Sequence, residues 1–208
     1  MNIIILTQKN EYVDLINNML LKEISGEKVT FISFDEVIDK NEGFIDEDFL
    51  NSLALDGIPP HELILKKNGP VMLLRNINPA EGLCNETRFI CRDFKQNVIL
   101  TEIGTGEYCE KQVFLPRIPF IPLEGDKQSV PFERTQYPIR PCFAMTINKS
   151  QGQTLDFVGL YLPKPIFSHG QLYVALSRAR TRKNIKSSDQ TFCQKQITYL
   201  LYQKYCLS

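Results

Sequence analysis

The sequence has few of the features that build metal centres or cross membranes. Six cysteines accompany only two histidines, and no cysteine pair has the C-x-x-C spacing. This pattern argues against a zinc site. The apolar run in MNIIILTQKN is too short for a signal peptide, and no run approaches the ~20 apolar residues of a transmembrane helix. These absences predict a soluble, intracellular protein with free thiols.

Net charge is also absent, because 24 basic and 24 acidic residues cancel. No global field therefore favours a polyanionic partner. The two signs are nevertheless unevenly distributed, since acids dominate between Asp35 and Asp48 and bases dominate from Lys164 onward. One interpretation is that one face avoids phosphate while another could bind it. The other is that both segments are simply solvated faces.

The N-terminal part carries the pattern of an α/β domain. The 208 residues, 43% of them hydrophobic, suffice for one ample globular domain or two small ones. An apolar strand is followed by a helix with an apolar stripe at Val13, Ile16, Leu20 and Leu21, and then by a β-rich run at Lys28–Ser33. This order predicts a βαβ unit with a parallel sheet. The acidic segment 35–60 reads as a loop.

A different pattern begins at His61 and lasts to about Pro138. Short β-rich runs alternate there with polar turns at intervals of roughly 8–12 residues, which is typical of a small antiparallel barrel. The runs are Leu63–Leu65, Val71–Leu74, Arg88–Arg92, Asn97–Glu102 and Gln112–Leu115. We therefore predict a small antiparallel β-barrel inserted into an α/β domain.

The α/β pattern resumes after this segment. Phe143–Ile147 and Phe157–Leu162 are predicted strands, and Ser168–Arg180 is a predicted helix with Ser168 and Gln171 as a capping box. Leu172, Ala175, Leu176 and Ala179 form its predicted apolar face. No strand is evident after Ile185. The predicted domains are 1–56 and 138–187 for the α/β part, 57–137 for the barrel, and 188–208 for an atypical tail.

Two features of this region suit phosphate chemistry. The polar turn Asn148–Thr154 offers a lysine, hydroxyls, amides and a glycine directly after a strand, and Gly152 permits close backbone approach. A polar turn without a ligand is the alternative. Arg178, at a helix end, could reach a γ-phosphate as an arginine finger. It could instead be a surface arginine in a weak ion pair, which is the commoner role of a lone arginine.

Longer stretches resemble a known family. FAMTINKSQGQTL followed by YVALSRAR is similar to motifs V and VI of superfamily 1 DNA helicases, above all the PIF-one-like helicases, including the helicase part of Helitron transposons. ILTQKNEYVDLIN resembles the motif IV strand and helix of that family. GIPPH with LKKNGPVMLLRNINPAEGLCNETRFIC resembles its inserted barrel. Across about residues 1–186, the resemblance implies a RecA-like (P-loop NTPase-type) second helicase domain interrupted by the barrel.

The resemblance implies an ATP-driven motor that moves along single-stranded DNA, typically five-prime to three-prime, and separates strands. ATP and Mg²⁺ would lie between two RecA-like domains. By match, the nucleotide-binding residues are Gly152, Gln153 and the catalytic arginine finger Arg178. Those toward the DNA backbone, or coupling it to the nucleotide, are Thr146, Asn148, Lys149 and Ser150. In the barrel, the candidate phosphate contacts are Arg88 and Lys66.

The sequence also departs from the family. It contains no G-x-x-x-x-G-K-[ST], no recognisable Walker B carboxylate pair and no first RecA-like domain. Mg²⁺ and the β-phosphate therefore have no recognisable ligands in this chain. Glu86 replaces the glycine of an Asn-Gly turn, and Asn148 stands where many relatives carry histidine. The tail after Ile185 no longer resembles the closing strand of the family.

Three hypotheses remain open from the sequence. The chain could be the C-terminal part of an ATP-dependent DNA helicase that acts in DNA repair or recombination, nuclear if the source is eukaryotic. It would be inactive alone and would need a first RecA-like domain in cis or in trans. It could instead be a non-catalytic module that binds nucleic acid or a partner and supplies Arg178 in trans. It could finally be a decayed, transposon-derived fragment.

Overall fold

In the computed structural model, residues 3–38, 46–55, 57–122, 131–163 and 170–187 are described. They belong to two compact units. One, here called the α/β unit, comprises Met1–Gly26, Asn68–Pro70 and Pro141–Ser208, and the other, the β unit, comprises Glu27–Lys67 and Val71–Arg140.

The described strands are β1 (Ile3–Thr7), β2 (Lys28–Ile32), β3 (Phe34–Val37), β4 (Glu62–Lys66), β5 (Pro70–Leu73), β6 (Arg88–Phe94), β7 (Val98–Ile103), β8 (Gln112–Pro116), β9 (Ile118–Phe120), β10 (Phe132–Gln136), β11 (Ile139–Pro141), β12 (Ala144–Thr146), β13 (Phe157–Tyr161) and β14 (Ile185–Ser187). The helices are α1 (Asn10–Glu23), α2 (Glu47–Ser52) and α3 (Gln171–Leu176). Short 3₁₀ turns occur at Pro79–Glu81, Asn148–Ser150 and Arg182–Asn184.

A parallel sheet in the order β12-β1-β13-β14 forms the α/β unit. All five residues of β1 are buried, as expected for a continuous apolar run in a central parallel strand. The predicted stripe of α1 is buried too, at Val13, Ile16, Leu20 and Leu21. The predicted parallel sheet, and the strands predicted around β12 and β13, are therefore confirmed.

The sheet contains one strand that the sequence did not predict. The expectation that no strand follows Ile185 is wrong, because β14 pairs in parallel with β13 through Val158 and Ile185. The strand has only three residues, which are too few to show the alternating pattern typical of a strand. Its position depends on tertiary contacts, including a hydrogen bond of 2.7 Å from the Asn184 side-chain Nδ2 to the Asp156 backbone carbonyl.

The second strand of the predicted βαβ unit does not join this sheet. β2 instead pairs antiparallel with β4 in the β unit, with Val29 opposite Leu65 and Phe31 opposite Leu63. Exposed and partly buried residues alternate along β2, so only one face of the strand is covered. A parallel strand in an α/β sheet would be covered on both faces, which explains why this prediction was wrong.

The acidic segment read as a loop contains ordered structure. β3 pairs antiparallel with β10, and α2 forms a short helix with Leu50 buried. Asp46 caps this helix by accepting a hydrogen bond of 3.1 Å from the Asp48 amide. Six helical residues complete fewer than two turns, so the sequence shows no clear helical period.

Three sheets make up the β unit, in the orders β11-β5-β6-β7-β8, β3-β10-β9 and β2-β4. All five predicted β-rich runs correspond to strands. Their core contains Leu63, Leu65, Val71, Leu73, Leu83, Phe89, Cys91, Ile99, Ile103, Leu115, Tyr137 and Ile139. A closed barrel requires each edge strand to pair with the next. The five-stranded sheet ends at β8 and β11, so the described strands form open sheets, not the predicted closed barrel.

A buried arginine fastens the β3-β10-β9 sheet to the segment around α2. The side chains of Arg134 and Asp35 are 1% and 3% exposed, and their closest nitrogen and oxygen atoms are 2.7 Å apart. The remaining guanidinium donors reach the carbonyl oxygens of Leu50, Leu53 and Pro59 at 2.8–3.2 Å. Each buried charge is thus paired and hydrogen-bonded, as burial of charge requires.

A second ion pair lies across β6 and β7 and predicts a pH effect. Arg92 Nε and Nη2 donate to Glu102 at 3.0 and 2.9 Å, and these hydrogen bonds lower the pKa of Glu102 below its ordinary value. The pair therefore stabilises the fold above the unfolded glutamate pKa of about 4.3, and this contribution is lost as pH falls through the lower folded pKa. Because the Arg92 side chain is 37% exposed, we expect less than about 1 kcal/mol.

Replacing Arg92 by methionine is accordingly expected to lower the free energy of unfolding by roughly 0.5 kcal/mol at pH 7, and by progressively less toward pH 3 as Glu102 becomes protonated. Urea denaturation of both proteins across this range is the measurement. Glu102→Gln serves as the matched change on the other partner. A difference that persists unchanged at pH 3 would show that Arg92 stabilises the sheet by packing, not by charge.

Among the described residues, Cys84, Cys91, Cys109 and Cys142 form no disulfide. Cys193 and Cys206 lie outside the described residues. Burial raises the pKa of Cys91 to about 12, so its thiol stays protonated. No helix among the described residues is long and apolar enough to span a membrane.

Candidate functional site

Three strands of the α/β unit end together at one edge of the sheet. Thr7, the last residue of β1, lies in register with Thr146 of β12 and with Tyr161 of β13. The turn that follows β12 therefore starts at the carboxyl edge of a parallel sheet. Open α/β sheets bind their ligands outside this edge.

The turn after β12 is held by its own hydrogen bonds. The buried Ser150 hydroxyl donates to the Ile147 carbonyl at 2.7 Å, and the backbone N–H of Gln153 donates to the Ser150 carbonyl at 3.1 Å. The Gln153 side chain donates to the Lys149 carbonyl at 3.3 Å. The backbone path is thus set by the turn itself, and a ligand would meet a preformed surface.

Gly152 is an exposed position of this turn. Its φ of +83° lies in the left-handed region that favours glycine, and a Cβ placed there would have no atom within 4 Å. The glycine is therefore required by backbone conformation and not by crowding. Its exposed backbone N–H and C=O remain accessible to a ligand at the sheet edge.

Arg178 is anchored to the same turn. Its Nη1 donates to the Gln153 carbonyl at 3.3 Å, and its Nε donates to the Val174 carbonyl at 3.1 Å. The backbone adds to this connection, because the Leu155 amide donates to the Arg178 carbonyl at 2.9 Å. The structure therefore brings together the three predicted nucleotide-binding residues, Gly152, Gln153 and Arg178.

The predicted DNA-binding residues of this unit differ in exposure. Thr146 and Lys149 are partly buried, Asn148 is exposed, and Ser150 is fully buried with its hydroxyl engaged inside the turn. Asn148 Oδ1 lies 3.5 Å from Gln171 Nε2, at the limit of a hydrogen bond. The turn and α3 thus meet through two polar side chains.

Gln171 was not predicted as a site residue. The sequence assigned it to a capping box with Ser168, which lies outside the described residues. In the structure Gly170 caps α3 without a side-chain hydrogen bond, and Gln171 points toward Asn148. Of the predicted apolar face, Ala175 is buried, whereas Leu172 and Leu176 are 43% and 41% exposed.

Arg88 and Lys66 lie in the β unit. Arg88 begins β6 and is only 5% exposed, whereas Lys66 ends β4, opposite Lys28, and is partly buried. Their roles in phosphate binding stay predictions. Within the described part of the chain, no group of three or more His, Cys, Asp or Glu side chains is placed to hold a metal ion.

Comparison with known proteins gives matches to DNA helicases. Residues 48–94 match the family model of the DNA helicase Pif1 2B domain. The rat ATP-dependent DNA helicase PIF1 is 32% identical over 190 residues, which cover 85% of this chain and 26% of the relative. The chain thus spans about a quarter of the length of that relative.

Two solved structures share the fold. A chain from a structure of two coordinating Pif1 helicases at forked double-stranded DNA is 25% identical with a TM-score of 0.67, covering 98% of this chain and 45% of that chain. Bacteroides Pif1 in complex with ADP-AlF3 and single-stranded DNA is 23% identical with a TM-score of 0.65, covering 97% and 45%. This second similarity shows a common fold.

The parallel sheet, the turn at its carboxyl edge and the anchored arginine, together with these matches, place the chain in a family whose named members are DNA helicases. More particularly, the chain belongs to the Pif1-like helicases and corresponds to their C-terminal part.

Proposed function

We propose that this chain forms one wall of the nucleotide cleft and part of the DNA track of an ATP-dependent DNA helicase. In this proposal it is the second RecA-like domain with an inserted β domain, in a motor that moves five-prime to three-prime on single-stranded DNA. The observation that carries the proposal is the hydrogen bond of 3.3 Å from Arg178 Nη1 to the Gln153 carbonyl. It joins the predicted arginine finger to the predicted nucleotide turn.

Arg178 would act on the charge of the transferred phosphoryl group. A guanidinium held by protein carbonyls can present its remaining donors to phosphate oxygens without reorganising during the reaction. Gly152 would let the backbone approach the nucleotide. Gln153 would connect Arg178 to the turn through its carbonyl group. No described residues form a cluster suited to Mg²⁺, so we assign the metal to the domain that carries the phosphate loop.

The DNA side of the proposal uses the same turn. Asn148 is exposed and Lys149 is partly exposed, so both can reach a phosphodiester backbone. Ser150 would act through the turn, because its hydroxyl is bonded to the Ile147 carbonyl. Thr146, and Arg88 and Lys66 in the β unit, complete the proposed DNA contacts. Such a motor would be a soluble protein, and a nuclear one in a eukaryote.

Complementation in trans tests this function. We expect the purified chain to hydrolyse no ATP alone, because the sequence contains no G-x-x-x-x-G-K-[ST]. Adding a RecA-like first domain from a Pif1-type helicase should produce ATP hydrolysis that depends on both proteins and on single-stranded DNA. DNA-stimulated turnover by the chain alone would contradict the proposed division of the site.

A second candidate is a non-catalytic module that binds single-stranded nucleic acid, which the missing phosphate-loop sequence favours. Binding of a labelled oligothymidylate across a salt series distinguishes the candidates. Each phosphate contact contributes about 0.7 to the slope of log affinity against log salt, so Lys149→Ala should reduce the slope by about that amount. Lys22→Ala on α1 is the matched control. A module would bind DNA without any complementation of ATPase activity, and a decayed fragment would do neither.

A further inference from the structure

Asn17 is a buried polar residue in the apolar face of α1. It is 5% exposed, and its neighbours on that face are the buried Val13, Ile16, Leu20 and Leu21. An unpaired amide at such a position would be strongly unfavourable, and asparagine is also a weak helix former. A polar residue there is therefore explained only by the hydrogen bonds that it makes.

The side chain of Asn17 binds the chain just where β12 begins. Its Oδ1 accepts hydrogen bonds from the backbone N–H groups of Phe143 and Ala144, each at 2.9 Å. Successive N–H groups of a regular strand point in opposite directions, so one oxygen can accept from both only at a bend. The backbone does bend at Phe143, one residue before the strand starts.

β12 transmits this position to the candidate site. The strand has only three residues and is the outer strand of its sheet, paired with β1 alone among the described strands. Backbone hydrogen bonds of 2.9 Å join Ile5 to Phe143 at its start and Ile147 to Thr7 at its end. The turn that carries Asn148, Gly152 and Gln153 follows at once.

A short outer strand has few contacts that define its register. A slip by one residue would reverse the facing of every side chain and would move the turn by about 3.3 Å along the sheet edge. Asn17 opposes such a slip, because its oxygen accepts only from the two N–H groups at the bend. We propose that Asn17 is a positioning residue that sets the register of β12 and thereby the place of the turn.

The test compares two neighbouring asparagines in the full chain. Asn17→Leu removes the acceptor while keeping the branched shape of the side chain, and Asn18→Leu, on the exposed side of α1, is the matched control. We expect amide exchange at Phe143 and Ala144 to become at least tenfold faster in Asn17→Leu only. The amide NMR signals of Asn148, Gly152 and Gln153 should shift in this variant and not in the control.

A conservative variant separates positioning from general loss of structure. Asn17→Asp keeps an oxygen that can accept from both N–H groups, so it should restore slow exchange and the wild-type signals of the turn. Should Asn17→Leu fail to fold, Asn17→Ala removes the acceptor without adding volume. The proposal would be overturned if the amide NMR signals of the turn stayed unchanged in a folded variant that lacks the acceptor. It would also be overturned if Asn17→Asp failed to restore these signals.

The consequence for ligand binding rests on the proposed function. If the chain binds single-stranded DNA, Asn17→Leu should weaken binding of an oligothymidylate severalfold, and Asn17→Asp and Asn18→Leu should not. If the wild-type chain does not bind the oligonucleotide, the proposed DNA track fails. Exchange and NMR signals then still decide whether Asn17 positions the turn.

Discussion

Replacing Arg178 by alanine is expected to lower the DNA-stimulated ATPase rate of the complemented pair by roughly 10³-fold or more, the range reported for arginine fingers. The guanidinium would offset the charge that spreads over the phosphoryl oxygens in the transition state. Because this distribution of charge arises only in the transition state, kcat should fall much more than nucleotide affinity. Steady-state ATP hydrolysis with saturating DNA and first domain is the measurement.

Two controls separate chemistry from structure in this experiment. Arg178→Lys retains the charge but loses the planar donor set, so we expect it to recover only a small part of the rate. Arg182→Ala changes an exposed arginine nearby and should leave the rate within about twofold, since exposed charges contribute little. An Arg178→Ala protein that keeps its fold and at least a tenth of the wild-type rate would contradict the assignment of the finger.

Replacing Arg134 by methionine is expected to destabilise the β unit by about 3–5 kcal/mol. The change leaves the Asp35 carboxylate buried without its counter-ion and removes the donors to the carbonyls of Leu50, Leu53 and Pro59. Urea denaturation followed by far-ultraviolet circular dichroism measures the change. Arg92→Met, which breaks the partly exposed ion pair, is the control and should have a much smaller effect.

A double variant tests whether the buried charge is the cause. Arg134→Met with Asp35→Leu removes both ions, and we expect it to be more stable than Arg134→Met alone because no uncompensated carboxylate remains. The lost donors to three carbonyl oxygens would still keep the double variant below the wild type. A double variant less stable than the single one would show that Asp35 is held by other partners.

The sequence predicted the elements whose signal is local and strong. Four consecutive apolar residues in β1, the stripe of α1 and the β-rich runs of the β unit each appear where their patterns indicated. The polar turn and Arg178 were singled out as candidate site residues because the motif stretches around them are distinctive. The hydrogen bonds that join Arg178 to the turn, through Leu155 and the Gln153 carbonyl, depend on the fold. The spacing of these residues in the sequence does not predict them.

The remainder depended on tertiary contacts that no local pattern records. β2 has the residue types of a buried strand, yet its pairing with β4 decides which sheet it joins. β14 and α2 are too short to show a period. Asn17 and Arg134 are polar residues at buried positions, where hydrophobic patterning gives no signal. Their partners lie far away in the sequence, so only the folded chain reveals what they do.

The central position of β1 has a consequence for the order in which the chain folds during synthesis. β1 is made before its partners β12 and β13, because its partner residues begin at Ala144, which lies 139 positions after Ile5. Every residue of the β unit, which ends at Arg140, is made before that partner appears. β1 therefore remains without its partner strands while the β unit is being made. Because closing so long a loop is slow, formation of the parallel sheet is expected to be the slow step of folding.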